Sequence, residues 1–150
     1  MKPVVSKKEA AEIIRMARFR AGVSWHDIAV RIGEAPAWTV AALLGQHPVG
    51  AEDAQIVGDM LSLDPEVVEA LQMQPYRGSF EEQVPSDPTL YRFYEALNVY
   101  GPAIKELIHE EFGDGIMSAI NFKMDVQRRE DAGGDRVVVI FDGKFLDYNW

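Results

Sequence analysis

Apolar residues at Ala10, Ile13, Ile14 and Ala17 recur in steps of three and four, the spacing that lines one face of a helix. The interval predicts a first helix. Ser6, with Glu9 three positions on, has the form of a capping box, and Gly22 supplies a stop. Ser24 starts a second helix with Ile28 and Ala29 turned inward, ending at Gly33. A third runs through "PAWTVAALLG", with Pro36 in its first turn and Gly45 past its end. Two more short helices follow over 49–61 and 65–73, the second opened by Asp64-Pro65. Residues 1–75 therefore read as a five-helix bundle.

The stretch "QPYRGSFEEQVPSD" interrupts this periodicity with two prolines and a glycine, so residues 76–87 read as a linker. Asp87 caps and Pro88 opens a helix that extends to about Phe112, with a kink expected at Gly101-Pro102. After "GDG" the period changes to two. Ile116, Ser118, Ile120, Phe122, Met124 and Val126 are then expected on one strand face. "DAGGD" turns the chain, and "RVVVIFDGKFL" forms a second strand that is apolar on both faces. Val138 and Ile140 on one side, with Val137, Val139 and Phe141 on the other, exceed what one helix covers. A two-stranded hairpin is also marginal alone. The expected fold is α+β: an N-terminal five-helix bundle with a repressor-like helix-turn-helix, then, over 88–150, a helix plus β-hairpin that packs on another chain as an obligate oligomer.

Helix, glycine turn and helix in "SWHDIAVRIGEAPAWTVAALLG" have the order of a DNA-binding motif. A recognition helix needs Arg, Lys, Asn or Gln for base edges and phosphates. From Glu34 to Gln46 there is no Lys or Arg, and the segment is apolar nearly all round. The formal net charge of −9 also opposes nonspecific attraction to nucleic acid or anionic membranes. The motif is read as structural. A transcriptional regulator with a C-terminal dimerisation domain is the main alternative, and a noncatalytic assembly module is a second. No apolar run reaches the ~20 residues that span a bilayer. The first twenty residues carry charges throughout and lack the apolar core of a signal peptide. There is no cysteine. Cytoplasm is the expected location.

Candidate chemistry concentrates in "LYRFYEAL", where Arg92 and Glu95 share a helix face among aromatic side chains. A surface ion pair is one reading. The other is a pair held at a subunit contact, where desolvated charges need partners or a bound ion. Ser118 is the only hydroxyl among the residues assigned to its strand face; a lone strand serine ordinarily bonds to backbone. His109 sits in a run of charges on what reads as a solvated face, and His26 and His47 are isolated, read as surface or capping residues. No His/Asp/Glu cluster has metal-ligand spacing, and neither "FGDGI" nor "AGGD" has the form of a phosphate loop before a helix.

Taken together, "DPTLYRFYEALNVYG", "IKELIHEEFGDGIMSAINFKMDV" and "GGDRVVVIFDGKFL" resemble the C-terminal domain of the cyanase family, the cyanate hydratases or cyanate lyases. A weaker resemblance runs through "AALLGQHPVGAEDAQIVGDMLSLD". It implies a helical domain similar to repressors but not used on DNA, a helix and hairpin interlocked between two chains, and a homodecamer of five dimers. It also implies a lyase that decomposes cyanate with bicarbonate as co-substrate, giving carbamate and carbon dioxide. Carbamate then yields ammonia and more carbon dioxide, a role in cyanate detoxification and nitrogen metabolism. The family's catalytic arginine, glutamate and serine fall on Arg92, Glu95 and Ser118, with no cofactor and no metal. Ser79 stands where some relatives carry cysteine, and "FLDYNW" departs from the more usual proline after leucine.

Overall fold

The computed structural model describes residues 4–75, 77–78 and 83–149. Ser79, four further residues of the expected linker and Trp150 lie outside them. Six helices and one antiparallel two-stranded sheet follow in order: α1 (Lys7–Ala21), α2 (Trp25–Ile32), α3 (Pro36–Leu43), α4 (Ala51–Leu61), α5 (Pro65–Gln72), α6 (Pro88–Phe112), β1 (Gly115–Arg129) and β2 (Arg136–Asp147). The α+β class expected from the two periodicities is the one observed. The chain divides into two compact units, Met1–Ser79 and Phe80–Trp150.

In the first unit, α1 and α2 both begin with reciprocal capping boxes. Ser6 pairs with Glu9, and Ser24 with Asp27, so each serine hydroxyl accepts a backbone N–H that the helix start leaves unsatisfied. Both helices end on glycines with positive φ, Gly22 and Gly33. Ile14, Ile28, Leu43, Val57 and Leu71, one from each helix, are fully buried and form the core. Ile13, expected inward, is instead exposed, and Ala11 takes the buried place beside Ala10 and Ile14. Thr39 is buried and polar, and its hydroxyl donates to the Ala35 carbonyl at 2.9 Å.

His47, read from the sequence as a surface or capping residue, is partly buried. Its ring stacks on Trp38, centroids 5.7 Å apart and planes within 10°. Next to it, Gln46 accepts a hydrogen bond from the Gly78 amide at 2.9 Å, tying the chain leaving the helices to the loop after α3.

The second unit has a different character. Asp87 caps α6 by accepting from the amides of Thr89 and Leu90. The helix runs unbroken across Pro102, whose missing N–H deprives the Asn98 carbonyl of its intrahelical donor. At its end His109 has a role that periodicity did not suggest. A carbonyl can only accept and an ammonium can only donate. Nδ1 therefore donates to Gly113 O at 2.9 Å, and Nε2 accepts from Lys105 Nζ at 2.6 Å.

Not one described residue of α6 is buried, although Leu90, Phe93, Leu97, Val99, Tyr100, Ile104 and Leu107 lie along it. The helix meets the hairpin at its C-terminal end, where the Phe112 ring stacks on Phe145 at 5.1 Å. On the hairpin, Val126, Val137, Ile140 and Phe141 are likewise exposed. An apolar surface this extensive marks an interaction site.

Burial lowers the His47 pKa from its ordinary 6.5, and the nearby cations Arg77 and Lys7 act in the same direction. The unfolded chain therefore takes up this proton at a higher pH than the folded one. Stability from this group is complete above the ordinary value and is lost as pH falls below it. The urea midpoint, followed by Trp fluorescence, is expected to decline between about pH 7.5 and about pH 5.5. His47→Gln should flatten that decline; an unchanged slope would contradict this account.

Candidate active site

Arg92 and Glu95 lie one turn apart near the start of α6, and the helix geometry brings them together. Arg92 Nη1 donates to Glu95 Oε2 at 3.2 Å. The guanidinium carbon stands 5.8 Å from the Tyr91 ring centroid, and Tyr91 and Tyr94 are themselves 5.8 Å apart. In a single chain the pair is open to solvent, the two side chains 66% and 54% exposed. At that exposure an ion pair contributes little to stability. Its position among half-covered aromatic rings is what sets it apart from an ordinary surface pair.

Ser118 is held differently. It is 6% exposed, one of two buried polar residues in the described chain. Its Oγ accepts the amides of Ile120 at 3.1 Å and Asn121 at 3.0 Å. Both oxygen lone pairs are thereby engaged, and the hydroxyl's remaining capacity is as a donor.

This arrangement arises because β1 does not pair continuously. Met117 lies opposite Phe145 and Phe122 opposite Gly143, so Ser118 to Asn121 bulge against Lys144 alone. The expected single face from Ile116 to Val126 is broken here: Ser118 is buried while Ile120 is 98% exposed. An odd excess of residues on one strand shifts the alternation, which a period-two reading of one strand cannot detect.

Arg92 and Ser118 are not brought together by one chain. About 30 Å of helix separates Arg92 from Phe112. The segment from Phe112 to Ser118 can return at most ~20 Å even if fully extended. Their Cα atoms thus stay at least ~10 Å apart. Ser118's hydrogen bonds among the described residues are to its own bulge.

Sequence reasoning passed over Gly143 as well. A Cβ there would collide with the Ser118 carbonyl oxygen and would lie 2.5 Å from Met117 Cγ. The available signal was a glycine inside the strand pattern "VVVIFDGKF". No group of three or more His, Asp or Glu that could hold a metal occurs among the described residues, and no helix among them is long and apolar enough to cross a membrane.

A helical unit followed by a long helix and an antiparallel hairpin is an architecture shared with a known enzyme class, the lyases acting on cyanate. The crystal structure of cyanase from T. urticae superposes with a TM-score of 0.80 at 36% identity, covering 91% of this chain and 96% of that one. Residues 7–75 match the family model described as cyanate hydratase, N-terminal, and residues 82–150 match the cyanate lyase C-terminal domain. Cyanate hydratase from Mycolicibacterium vanbaalenii is 56% identical over 97% of this chain and 95% of its own length. That from Thiobacillus denitrificans is 48% identical over 96% and 98%. The chain belongs to the cyanate hydratase family. The transcriptional-regulator alternative is not favoured by these relatives.

Replacing Ser118 by alanine removes the acceptor of two partly buried amides. Ser118→Ala is expected to destabilise the protein by about 1–3 kcal/mol, the scale for unsatisfied buried donors. Urea unfolding of the variant against the parent measures it, and equal midpoints would mean that the bulge does not depend on the hydroxyl.

Proposed function

We propose that this protein decomposes cyanate with bicarbonate as co-substrate, in a site built where copies of Arg92, Glu95 and Ser118 from different chains meet. Family membership supports cyanate as the substrate. The observation that carries the site is Ser118, with both lone pairs engaged by its own bulge and a proton left to donate, while within the chain Arg92 bonds to Glu95.

The reaction joins two anions, so positive charge must be local. A guanidinium about 4 Å from an anion contributes roughly 4 kcal/mol at an effective dielectric near 20, before desolvation is subtracted. Arg92 engages Glu95 through Nη1, which orients its plane; two parallel N–H groups can then hold an oxyanion. A bicarbonate oxygen attacks the cyanate carbon, and its proton passes to the nitrogen. The resulting mixed anhydride carries two negative charges. Its C–O bond breaks to release carbon dioxide, and the remaining fragment takes a proton to become carbamate. Carbamate takes up another proton and separates into ammonia and a second carbon dioxide. Two protons are consumed overall, and no redox partner, metal or cofactor enters the balance.

Ser118 serves as hydrogen-bond donor to the developing charge, because engaged lone pairs make a poor nucleophile. Catalysis rests on positioning and electrostatics. The exposed apolar faces of α6 and the hairpin support association, for which we infer interlocked dimers assembled into a decamer in the cytoplasm. Nucleic acid is not an expected partner, since Glu34 to Gln46 offers no Lys or Arg.

Ammonia release from cyanate, measured with and without added bicarbonate, tests the reaction. Release that depends on bicarbonate is expected, and bicarbonate-independent release, or none, would overturn the assignment. Sedimentation alongside it should give a species larger than a dimer, and a folded 16.8 kDa monomer would count against a shared site.

A second test separates two arginines. Arg92→Lys should lower turnover at least ~100-fold at matched assembly, because an ammonium lacks the planar fork and misplaces the anion. Arg77→Lys should be nearly silent, since Arg77 is exposed and belongs to the helical unit. Co-assembling Arg92→Lys with Ser118→Ala chains should restore part of the activity if sites draw on different chains. Near-wild-type turnover of an assembled Arg92→Lys protein would remove Arg92 from this role.

A further inference from the structure

Gly143 sits in the middle of β2, paired with Phe122, at the point where the β1 bulge rejoins the sheet. Its backbone does not have a positive φ, so the conformation itself does not call for glycine. What calls for it is space. A Cβ at this position would overlap the carbonyl oxygen of Ser118 and would stand 2.5 Å from Cγ and 3.2 Å from Sδ of Met117. The methionine side chain can swing aside. The carbonyl cannot move without moving Ser118, because it is part of the bulge backbone. That backbone also directs the Ile120 and Asn121 amides onto the serine oxygen.

We propose that Gly143 is a positioning residue for the reaction: its missing side chain lets the bulge settle against β2, and that seating fixes where the Ser118 hydroxyl donates. The inference rests on the reading of Ser118 as donor to the reacting anions. An alanine at 143 would displace the Ser118 carbonyl by a large fraction of an ångström. The hydroxyl would move with it, and a misplacement near 1 Å is enough to reduce rate by ~100-fold. Bulges that re-aim a side chain beside a site are a recurrent use of this irregularity, and a strand glycine often marks close backbone approach.

Gly143→Ala, Met117→Ala and the Met117→Ala/Gly143→Ala double variant separate the two overlaps. The double variant removes the side-chain collision and leaves only the Ser118 carbonyl to give way. At matched oligomeric size, Met117→Ala should turn over cyanate close to the wild-type rate. Both glycine variants should lose at least ~10-fold in kcat, with a smaller change in KM for cyanate. Against a Ser118→Ala background, Gly143→Ala should cost less than about 2-fold further, because two residues acting through one hydroxyl do not add. Wild-type kcat in an assembled Gly143→Ala protein would overturn the proposal. So would the full loss recurring in the Ser118→Ala background, or failure of both glycine variants to assemble, since the glycine would then serve the fold alone. Wild-type turnover by Ser118→Ala itself would instead remove the serine reading on which the inference stands.

Discussion

The second unit does not bury its own apolar surface, and the candidate site it carries is tied to that constraint. A 25-residue helix without one buried residue and a two-stranded sheet with exposed Val137, Ile140 and Phe141 do not make a core. The contrast with the first unit is direct: Ile14, Ile28, Leu43, Val57 and Leu71 fill its centre from five elements. The first unit has a core of its own to offset the entropy of ordering it, while on the proposed reading the second gains its core by association. A site carried by the second unit inherits this dependence. Arg92 and Glu95 are solvated in one chain, where their charges attract an anion weakly. Association would surround them with low-dielectric aromatic surface and strengthen the same charges several-fold.

Helix boundaries were legible in the sequence because capping chemistry is local. Ser6 with Glu9, Gly22, Ser24, Gly33 and Asp87-Pro88 each act within a few residues, and each acts as its chemistry dictates. Burial was less legible where it depends on tertiary direction. Ile13 satisfies helical spacing as well as Ala11 does, but in the fold Ala11 is buried and Ile13 is exposed. His47 looked isolated because its stacking partner, Trp38, sits on a different element. His109 looked solvated because its partners, Lys105 and Gly113, are a terminal arrangement that periodicity does not encode.

The candidate residues could be named from the sequence, but the bulge that shapes one of them could not. Alternation in β1 continues past Met117 without a break, so nothing within that strand announces four residues opposing one. The information lies in β2, where Gly143 provides the room. A constraint between strands is visible only once their register is known. Ser118 therefore read as an ordinary strand serine bonded to backbone. In one sense it is that: its oxygen is bonded to two amides. The same bonds that make it look structural also leave its proton as its only remaining hydrogen-bonding capacity.

On the proposed reading an acidic chain handles two anions, and the two scales of charge act differently. The net charge of −9 sets a long-range potential, which physiological salt screens within about 8 Å. Encounter with small anions at high mobility is slowed by that potential only modestly. Inside the proposed desolvated site the balance would be set by the nearest groups, and there a guanidinium and a hydroxyl donor would outweigh distant carboxylates. Glu95 is the exception, an acidic group within the site's reach at 3.2 Å from Arg92. Its negative charge offsets part of the arginine's attraction for substrate. What it supplies in return is orientation, since a guanidinium anchored through one nitrogen presents its remaining N–H groups in a fixed plane. On this reading the site gives up some raw attraction for geometry. That exchange suits a reaction whose barrier lies in bringing two like charges into line, because uniform attraction for both anions would tighten binding without lowering the barrier between them.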